Sequence, residues 1–206
     1  MAFPRTGRYT LGARAYDVVS AERPVYRAGR EAAIERLGLR PGDRVLDVGC
    51  GTGLNLPLLR TAVGDSGRVV GLDRSTDMLA MARRRVSRHG WTNVDLVESD
   101  AERLPDLVQG PFDAALATYV LSIIEPWRDV WAQARALVRP GGRMAIVDLS
   151  LPSGAGTVWW PLARLVCWTG GADPHREPWR LVADLDDVTR STHRAGHVVT
   201  AVGTRR

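Results

Sequence analysis

Lysine is absent from this 206-residue chain, and all 28 basic side chains are arginine. No Schiff base to a carbonyl substrate or pyridoxal cofactor can therefore form on a side-chain amine. The two cysteines, Cys50 and Cys167, are too few for a disulfide framework. No apolar run reaches the length of a membrane span, and the N-terminus lacks a signal-peptide core. Internal repeats and low-complexity segments are missing as well. These absences lead us to expect one cytoplasmic domain over 1–206, long enough to bury a full core.

The charge balance is +5 with a pI near 10. An all-arginine complement reads first as the codon bias of a GC-rich genome. Excess positive charge also suits nucleic acid or anionic lipid surfaces. The densest cluster, Arg83-Arg84-Arg85 with Arg88, falls on an expected helix away from the strand ends and reads as a solvated face. Nucleic acid is therefore not the expected partner.

The informative stretch is Arg44-Val45-Leu46-Asp47-Val48-Gly49-Cys50-Gly51-Thr52-Gly53, followed by Val69-Val70-Gly71-Leu72-Asp73. An apolar run ends in a glycine loop, and a second apolar run ends in a carboxylate. Glycines let the backbone turn sharply and approach a ligand without a Cβ in the way. The helix that follows presents unpaired N–H groups, and the second strand delivers an acidic side chain to ribose hydroxyls. The spacing Gly49-x-Gly51-x-Gly53, with Leu54 at the third dinucleotide position, differs from the dinucleotide pattern. Asp47 ahead of the loop is awkward beside a pyrophosphate but suits the amine and sulfonium of S-adenosylmethionine. Cys50, inside the loop, reads as a small buried residue.

Short apolar runs alternate with helical patterns from residue 43 onward, which predicts a doubly wound, mostly parallel sheet with helices on both faces. Strands are expected near 44–49, 68–73, 93–98, 112–118 and 143–148. The helix after the loop carries Leu54, Leu58 and Leu59, with Pro57 in its first turn. Ser75 caps the next helix. A helix over 126–138 ends at Pro140-Gly141-Gly142, which turns into the fifth strand. Residues 8–38 read as one or two helices broken near Pro24. A closing hairpin over 188–193 and 197–203 turns at Ala195-Gly196.

With Leu39-Arg40-Pro41-Gly42-Asp43, Asp100-Ala101-Glu102-Arg103-Leu104-Pro105, Phe112-Asp113 and Arg139-Pro140-Gly141-Gly142-Arg143 added, the chain resembles the class I S-adenosylmethionine-dependent methyltransferases. Within them it is similar to the ubiquinone/menaquinone C-methyltransferase-like group, over about residues 9 to 148. The tail and Thr118-Tyr119-Val120-Leu121-Ser122 look closer to phospholipid-headgroup N-methyltransferases. The resemblance implies a Rossmann-like seven-stranded sheet finished by an antiparallel C-terminal pair, with lid helices in 1–40, a cofactor core in 41–149 and a substrate roof in 150–206.

The expected cofactor is S-adenosylmethionine, lodged where strand order reverses between the strands ending at Gly49 and Thr118. Asp47 and the loop Gly49, Gly51, Thr52 and Gly53 hold its methionine end, and Asp73 takes the ribose hydroxyls. Met78 packs against the adenine, or is simply core. The resemblance places Asp100 and the Ala101 backbone at the adenine amino group. Thr118 and Tyr119 close the fourth strand beneath the transferable methyl. Tyr16-Asp17 resembles the Tyr-Asp pair of the family's lid helix, which makes Tyr16 and Tyr119 the catalytic candidates. Tyr9 and Tyr16 alternatively anchor a helix on the sheet. Arg23, Tyr26, Arg27 and Arg30 form a basic arm able to receive an anionic group; an ordinary basic helix face is the plainer reading.

No histidine stands at a matched motif position. His193 and His197 lack a third ligand, so no metal is expected. His175 is a candidate substrate contact, with an ordinary surface loop the plainer reading. Trp159, Trp160, Trp168 and Trp179, amid Leu162, Arg164, Leu165 and Val166, suit a hydrophobic small-molecule or lipid acceptor or contact with a membrane interface; a helix packed on the sheet is the plainer reading. Methyl transfer to such an acceptor is the expected activity. A non-methylating reaction such as cyclisation of a natural product uses the same cofactor residues. A nucleic-acid methyltransferase is disfavoured because Thr118-Tyr119-Val120-Leu121 stands where an Asn-Pro-Pro-Tyr-type word belongs.

Overall fold

The computed structural model describes residues 26–99, 108–152, 157, 160, 173 and 175–206. Tyr9, Tyr16, Arg23, Asp100, Ala101, Trp159 and Trp168, with residues 162–166, lie outside the described residues. The chain order is α1 (Arg27–Leu37), β1 (Arg44–Val48), α2 (Leu56–Val63), β2 (Arg68–Asp73), α3 (Thr76–His89), β3 (Val94–Glu98) and β4 (Phe112–Thr118). There follow α4 (Trp127–Leu137), β5 (Val138–Leu149), a 3₁₀ helix (Pro178–Asp184), β6 (Asp186–His193) and β7 (Val198–Thr204).

The seven strands form one sheet in the order β3-β2-β1-β4-β5-β7-β6. The first five pair in parallel, and β7 runs antiparallel between β5 and β6. Side chains alternate across the sheet with the period of two that a strand imposes. Leu46, Val48, Val70, Leu72, Ala115, Ala117 and Ile146 pack on one face with Val130, Trp131, Trp179 and Val182 from α4 and the 3₁₀ helix. Val45, Val69, Ala114, Leu116, Ala145 and Val147 pack on the other with α1, α2 and α3. Both faces are covered, which is why the central strands read as continuous apolar runs.

Two elements differ in detail from the sequence reading. α2 begins at Leu56 and turns Leu56, Leu59 and Val63 inward, while Leu54 and Leu58 stay half-buried. Residues 52–55 are taken up by the turn out of the glycine loop, which shifts the inward face. β5 begins at Val138 instead of after Gly142. Val138 pairs with Phe112 and Arg143 with Ala114, so residues 139–142 bulge from the ladder where Pro140 offers no donor.

The outermost strand, β6, is mostly exposed. Its register also slips between Asp186 and Thr189, where Asp187 takes φ 49. No helix among the described residues is long and apolar enough to cross a membrane.

α1 crosses the sheet at close range because of Gly29. A Cβ built there would meet Val198 Cγ1 at 2.5 Å, Tyr119 Oη at 2.7 Å and Val147 Cγ1 at 2.8 Å. Gly29→Ala should therefore lower stability by about 1–3 kcal/mol, despite alanine's better helix propensity. Urea unfolding measures this, and an unchanged midpoint would show that α1 stands off the sheet.

Candidate functional site

Strand order reverses between β1 and β4, and the carboxyl ends of these strands carry the clustered polar groups. Asp47 lies on β1 on the α1 side of the sheet and is fully buried. Its Oδ1 accepts a hydrogen bond from Asn55 Nδ2 at 2.8 Å, whereas Oδ2 is buried with no partner. Asn55 also donates to Thr118 Oγ1 at 3.1 Å, at the end of β4. Arg30, from α1 and 7% exposed, donates to Asn55 Oδ1 at 2.9 Å and Thr118 Oγ1 at 3.3 Å. Three separate elements thus meet around one carboxyl group. Burial lifts the Asp47 pKa to about 7, against the opposing pull of the Asn55 hydrogen bond and the Arg30 charge; nearby Asp73 raises it further.

The glycine loop wraps over this cluster. Gly49, Gly51 and Gly53 all take positive φ. A Cβ on Gly49 would run into Val120, and one on Gly53 into Leu56 and Ala82. A Cβ on Gly51 would meet nothing within 4 Å, so open space lies in front of the loop there. The Gly51 N–H donates to Asp73 Oδ2 at 2.8 Å and the Ser75 N–H to Oδ1 at 2.9 Å. Each oxygen keeps a further lone pair. Burial raises the Asp73 pKa, while these backbone bonds lower it. Ser75 Oγ accepts from the Met78 N–H at 3.4 Å, and Met78 is 4% exposed. Thr52 and Cys50 are buried, and burial with the Asp47 and Asp73 charges pushes the Cys50 thiol well above its usual range.

Tyr119, directly after β4, adopts φ 58, a left-handed conformation unusual for a bulky residue. Its hydroxyl donates to the Tyr26 carbonyl at 2.6 Å, and the two rings meet edge to face at 4.7 Å. The Arg30 guanidinium stands 5.5 Å from the Tyr119 ring centroid.

A second polar cluster sits on the opposite face of the same rim. Asp148, fully buried near the end of β5, accepts Ser122 Oγ at 2.6 Å, the Ser122 N–H at 3.0 Å and the Leu149 N–H at 2.8 Å. Burial raises its pKa to about 6 against those bonds. Arg176 donates to the Ile124 carbonyl at 2.6 Å and pairs with Glu125 at 2.7 Å, holding the same post-β4 loop. His175 beside it is exposed.

The donor set fits S-adenosylmethionine. An orphaned buried carboxylate oxygen suits a cationic ligand, the open front of Gly51 admits one, and the Asp73 carboxylate stands at the neighbouring strand end. Residues 45–142 match the model of the methyltransferase domain family. A demethylmenaquinone methyltransferase of Bacillus cereus is 31% identical over 139 residues, 68% of this chain and 57% of that protein. These matches support a class I S-adenosylmethionine-dependent methyltransferase, similar to the menaquinone-methyltransferase group.

An uncharacterised protein of a Streptomyces fradiae transposon is 38% identical over 120 residues, 58% of this chain and 34% of that protein. The chain thus spans between about a third and three-fifths of the length of these relatives. Among solved structures, an Aquifex aeolicus S-adenosylmethionine-dependent methyltransferase shares the fold with TM-score 0.66 at 20% identity, covering 94% of this chain and 98% of that one. A Haemonchus contortus phosphoethanolamine N-methyltransferase, in complex with phosphomonomethylethanolamine and S-adenosylhomocysteine, gives 0.74 at 16% identity, covering 98% and 61%.

The structure brings Asp47, Gly49, Gly51, Thr52, Gly53, Asp73 and Thr118 to one rim. The sequence reading did not single out Asn55, and it missed the inward course of Arg30. It also missed Asp148, although Ala145-Ile146-Val147-Asp148 repeats the pattern of an apolar strand ending in a carboxylate.

A folded-state pKa of about 7 for Asp47, above 3.8 for a free carboxyl, means that ionising it costs stability. The penalty is full above about pH 7 and disappears as pH falls towards 4. Asp47→Asn should raise ligand-free stability at pH 8 by ~2–4 kcal/mol, a gain that fades by pH 4. Urea titrations across that range measure it, and a pH-independent difference would contradict the assignment.

Proposed function

We propose that this chain transfers the methyl group of S-adenosylmethionine to a hydrophobic small-molecule or lipid acceptor. The unpaired Asp47 oxygen beneath the open glycine loop carries this reading, because it offers a cationic ligand the hydrogen-bond acceptor that the protein itself leaves unused. In it, Asp47 and the loop take the methionine end, Asp73 takes the ribose hydroxyls, and Met78, Asp100 and Ala101 flank the adenine. Thr118, already bound to Asn55, sits beneath the transferable methyl.

The bound cofactor supplies a carbon already activated by its sulfonium. The protein's own contribution is to position the partners and exclude water. α1 serves this by closing over β4, through the Tyr119–Tyr26 and Arg30–Asn55 bonds. On this reading Tyr119 holds the lid, and Tyr16 is the catalytic candidate. Trp160 is 41% exposed and donates to the Pro152 carbonyl at 3.2 Å. With Trp159 and Trp168 it would meet an apolar acceptor or the membrane interface that delivers one. The demethylmenaquinone methyltransferases, named for a lipid-type acceptor, support that class.

Asp73→Ala should weaken binding of S-adenosylhomocysteine by about 1–3 kcal/mol, through loss of charge-assisted hydrogen bonds. Calorimetry measures this directly, and unchanged affinity would remove Asp73 from the ribose. Labelled S-adenosylmethionine incubated with a lipid extract should yield methylated product. Tight cofactor binding with no labelled product from any acceptor pool would instead favour a non-methylating reaction.

A further inference from the structure

Arg30 is an unusual residue for the inner face of a helix. It is 7% exposed, and Gly29 beside it lets α1 lie close enough to the sheet for the guanidinium to reach the strand ends. Two further bonds pin α1 at this point. The Tyr119 hydroxyl donates to the Tyr26 carbonyl at 2.6 Å, and Thr200 Oγ1 donates to the Gly29 carbonyl at 3.4 Å. A buried guanidinium is costly unless its donors are used and its charge is faced by an acid. Asp47 is such an acid, and the Asn55 amide stands between the two.

The hydrogen bonds fix which way that amide points. A guanidinium has donors only, so the Asn55 atom that faces Arg30 Nη1 at 2.9 Å is the carbonyl oxygen. The NH2 group is thereby turned to Asp47 Oδ1 at 2.8 Å and Thr118 Oγ1 at 3.1 Å. Arg30 closes the triangle with a 3.3 Å bond to the same hydroxyl. A flipped amide would set its carbonyl against the carboxylate and its NH2 against the guanidinium, two repulsions at once. Arg30 therefore dictates that Asp47 receives a donor on Oδ1, while Oδ2 stays without a partner. A guanidinium bound straight to Asp47 would instead neutralise the acid and occupy the oxygen that a cationic ligand needs.

We propose that Arg30 is a positioning residue of the methionine subsite: through Asn55 it aims the Asp47 carboxylate at the ammonium group of the cofactor, and so makes docking of α1 a condition for tight binding. This rests on the methyl-transfer reading and adds a control to its cofactor site. With α1 in place, the amide is locked and Asp47 presents an unused acceptor. With α1 withdrawn, the amide turns freely, and a protonated Asp47 donates to its carbonyl. Linkage makes the effect mutual, so an ammonium group on Asp47 holds α1 down as firmly as α1 favours the ammonium group.

Burial lifts the Asp47 pKa to about 7, while the Asn55 bond and the Arg30 charge oppose it. Removing Arg30 takes away the charge and unlocks the bond, so Asp47 ionises at higher pH. The other titratable groups facing Asp47 among the described residues are Asp73 at the end of β2, which raises its pKa, and the Cys50 thiol of the glycine loop, which burial keeps protonated. β4 and the turn before α2 present Thr118 and Asn55, both uncharged. Affinity for an ammonium-bearing ligand should rise with pH as Asp47 ionises, and the rise should move to higher pH without Arg30.

The experiment compares the full-length protein with Arg30→Met and with Asn55→Ala, using calorimetry between pH 6 and 8.5. Three probes are used: S-adenosylhomocysteine, its decarboxylated analogue, which keeps the ammonium group, and methylthioadenosine, which carries neither charge. At pH 7 both variants should bind the two ammonium probes about tenfold or more weaker than the parent, in the range of a lost charge-assisted hydrogen bond. Methylthioadenosine affinity should stay within about twofold, as for an independent site. In an Asp47→Asn background, Arg30→Met should cost the decarboxylated analogue no more than about twofold, because the group that Arg30 positions is gone.

Loss confined to S-adenosylhomocysteine would mean that Arg30 touches the cofactor carboxylate directly, which overturns the relay through Asn55. Equal loss on all three probes, an unshifted pH profile, or a full loss in the Asp47→Asn background would overturn it too. Should both variants fail to fold, hydrogen exchange of the parent decides. The α1 amides should gain protection with the two ammonium probes and not with methylthioadenosine; equal protection by all three overturns the proposal. A parent that binds the decarboxylated analogue no better than methylthioadenosine at pH 8 overturns the Asp47 reading itself. A preference that survives Arg30→Met unchanged overturns the role of Arg30 alone and leaves the Asp47 reading standing.

Discussion

The structure turns on a carboxylate that the protein buries completely and pairs only by half. Asp47 could have been an apolar residue like Val45 two places earlier, and the central strand would pack as well or better. Instead the chain sets an acid there and surrounds it with Asn55, Thr118 and Arg30, drawn from α1, the turn before α2 and β4. Leaving Oδ2 unpaired is a local loss that a folded domain has no structural reason to accept. The arrangement makes sense if a ligand completes it. It also explains why α1 must approach the sheet so closely, since Arg30 reaches the cluster only from there.

Asp148 is the instructive contrast. It is the same residue type, equally buried, at the corresponding end of β5. Ser122 and the Leu149 backbone supply three donors, and none of its oxygens is left over. A carboxylate satisfied this way acts as a fastener, here tying the loop after β4 to β5. One residue type thus serves two ends, according to how many donors the fold supplies. Room for a ligand's hydrogen bond on this rim tracks the shortfall.

Most of the sheet could be read from the chain because buried parallel strands write themselves as apolar runs. Val45–Val48, Val69–Leu72 and Ala114–Ala117 are bounded by glycines and carboxylates that leave little freedom in their ends. The glycine loop and Asp73 were legible for the same reason, each demanded by backbone geometry within a few residues. Asn55 and Arg30 were not. Their importance comes from contacts between elements 25 and more residues apart, and nothing local distinguishes an inward arginine from a solvated one. The start of β5 was missed because Pro140-Gly141-Gly142 is a proper helix stop, and a bulge tolerates it equally well. His197 was read as the start of the last strand, but its contact with Ser150 came only from the β5–β7 register.

The far edge of the sheet has a bearing on how this molecule behaves in a crowded solution. An outer strand presents unpaired backbone groups, an invitation for another sheet to add on. β6 carries Asp186, Asp187 and Arg190, with Arg206 paired to Asp186 at 2.7 Å, and its ladder is interrupted at the left-handed Asp187. A foreign strand would have to desolvate those charges and could not stay in step past the kink. This border therefore resists templated self-association, even though the sheet behind it is apolar on both sides.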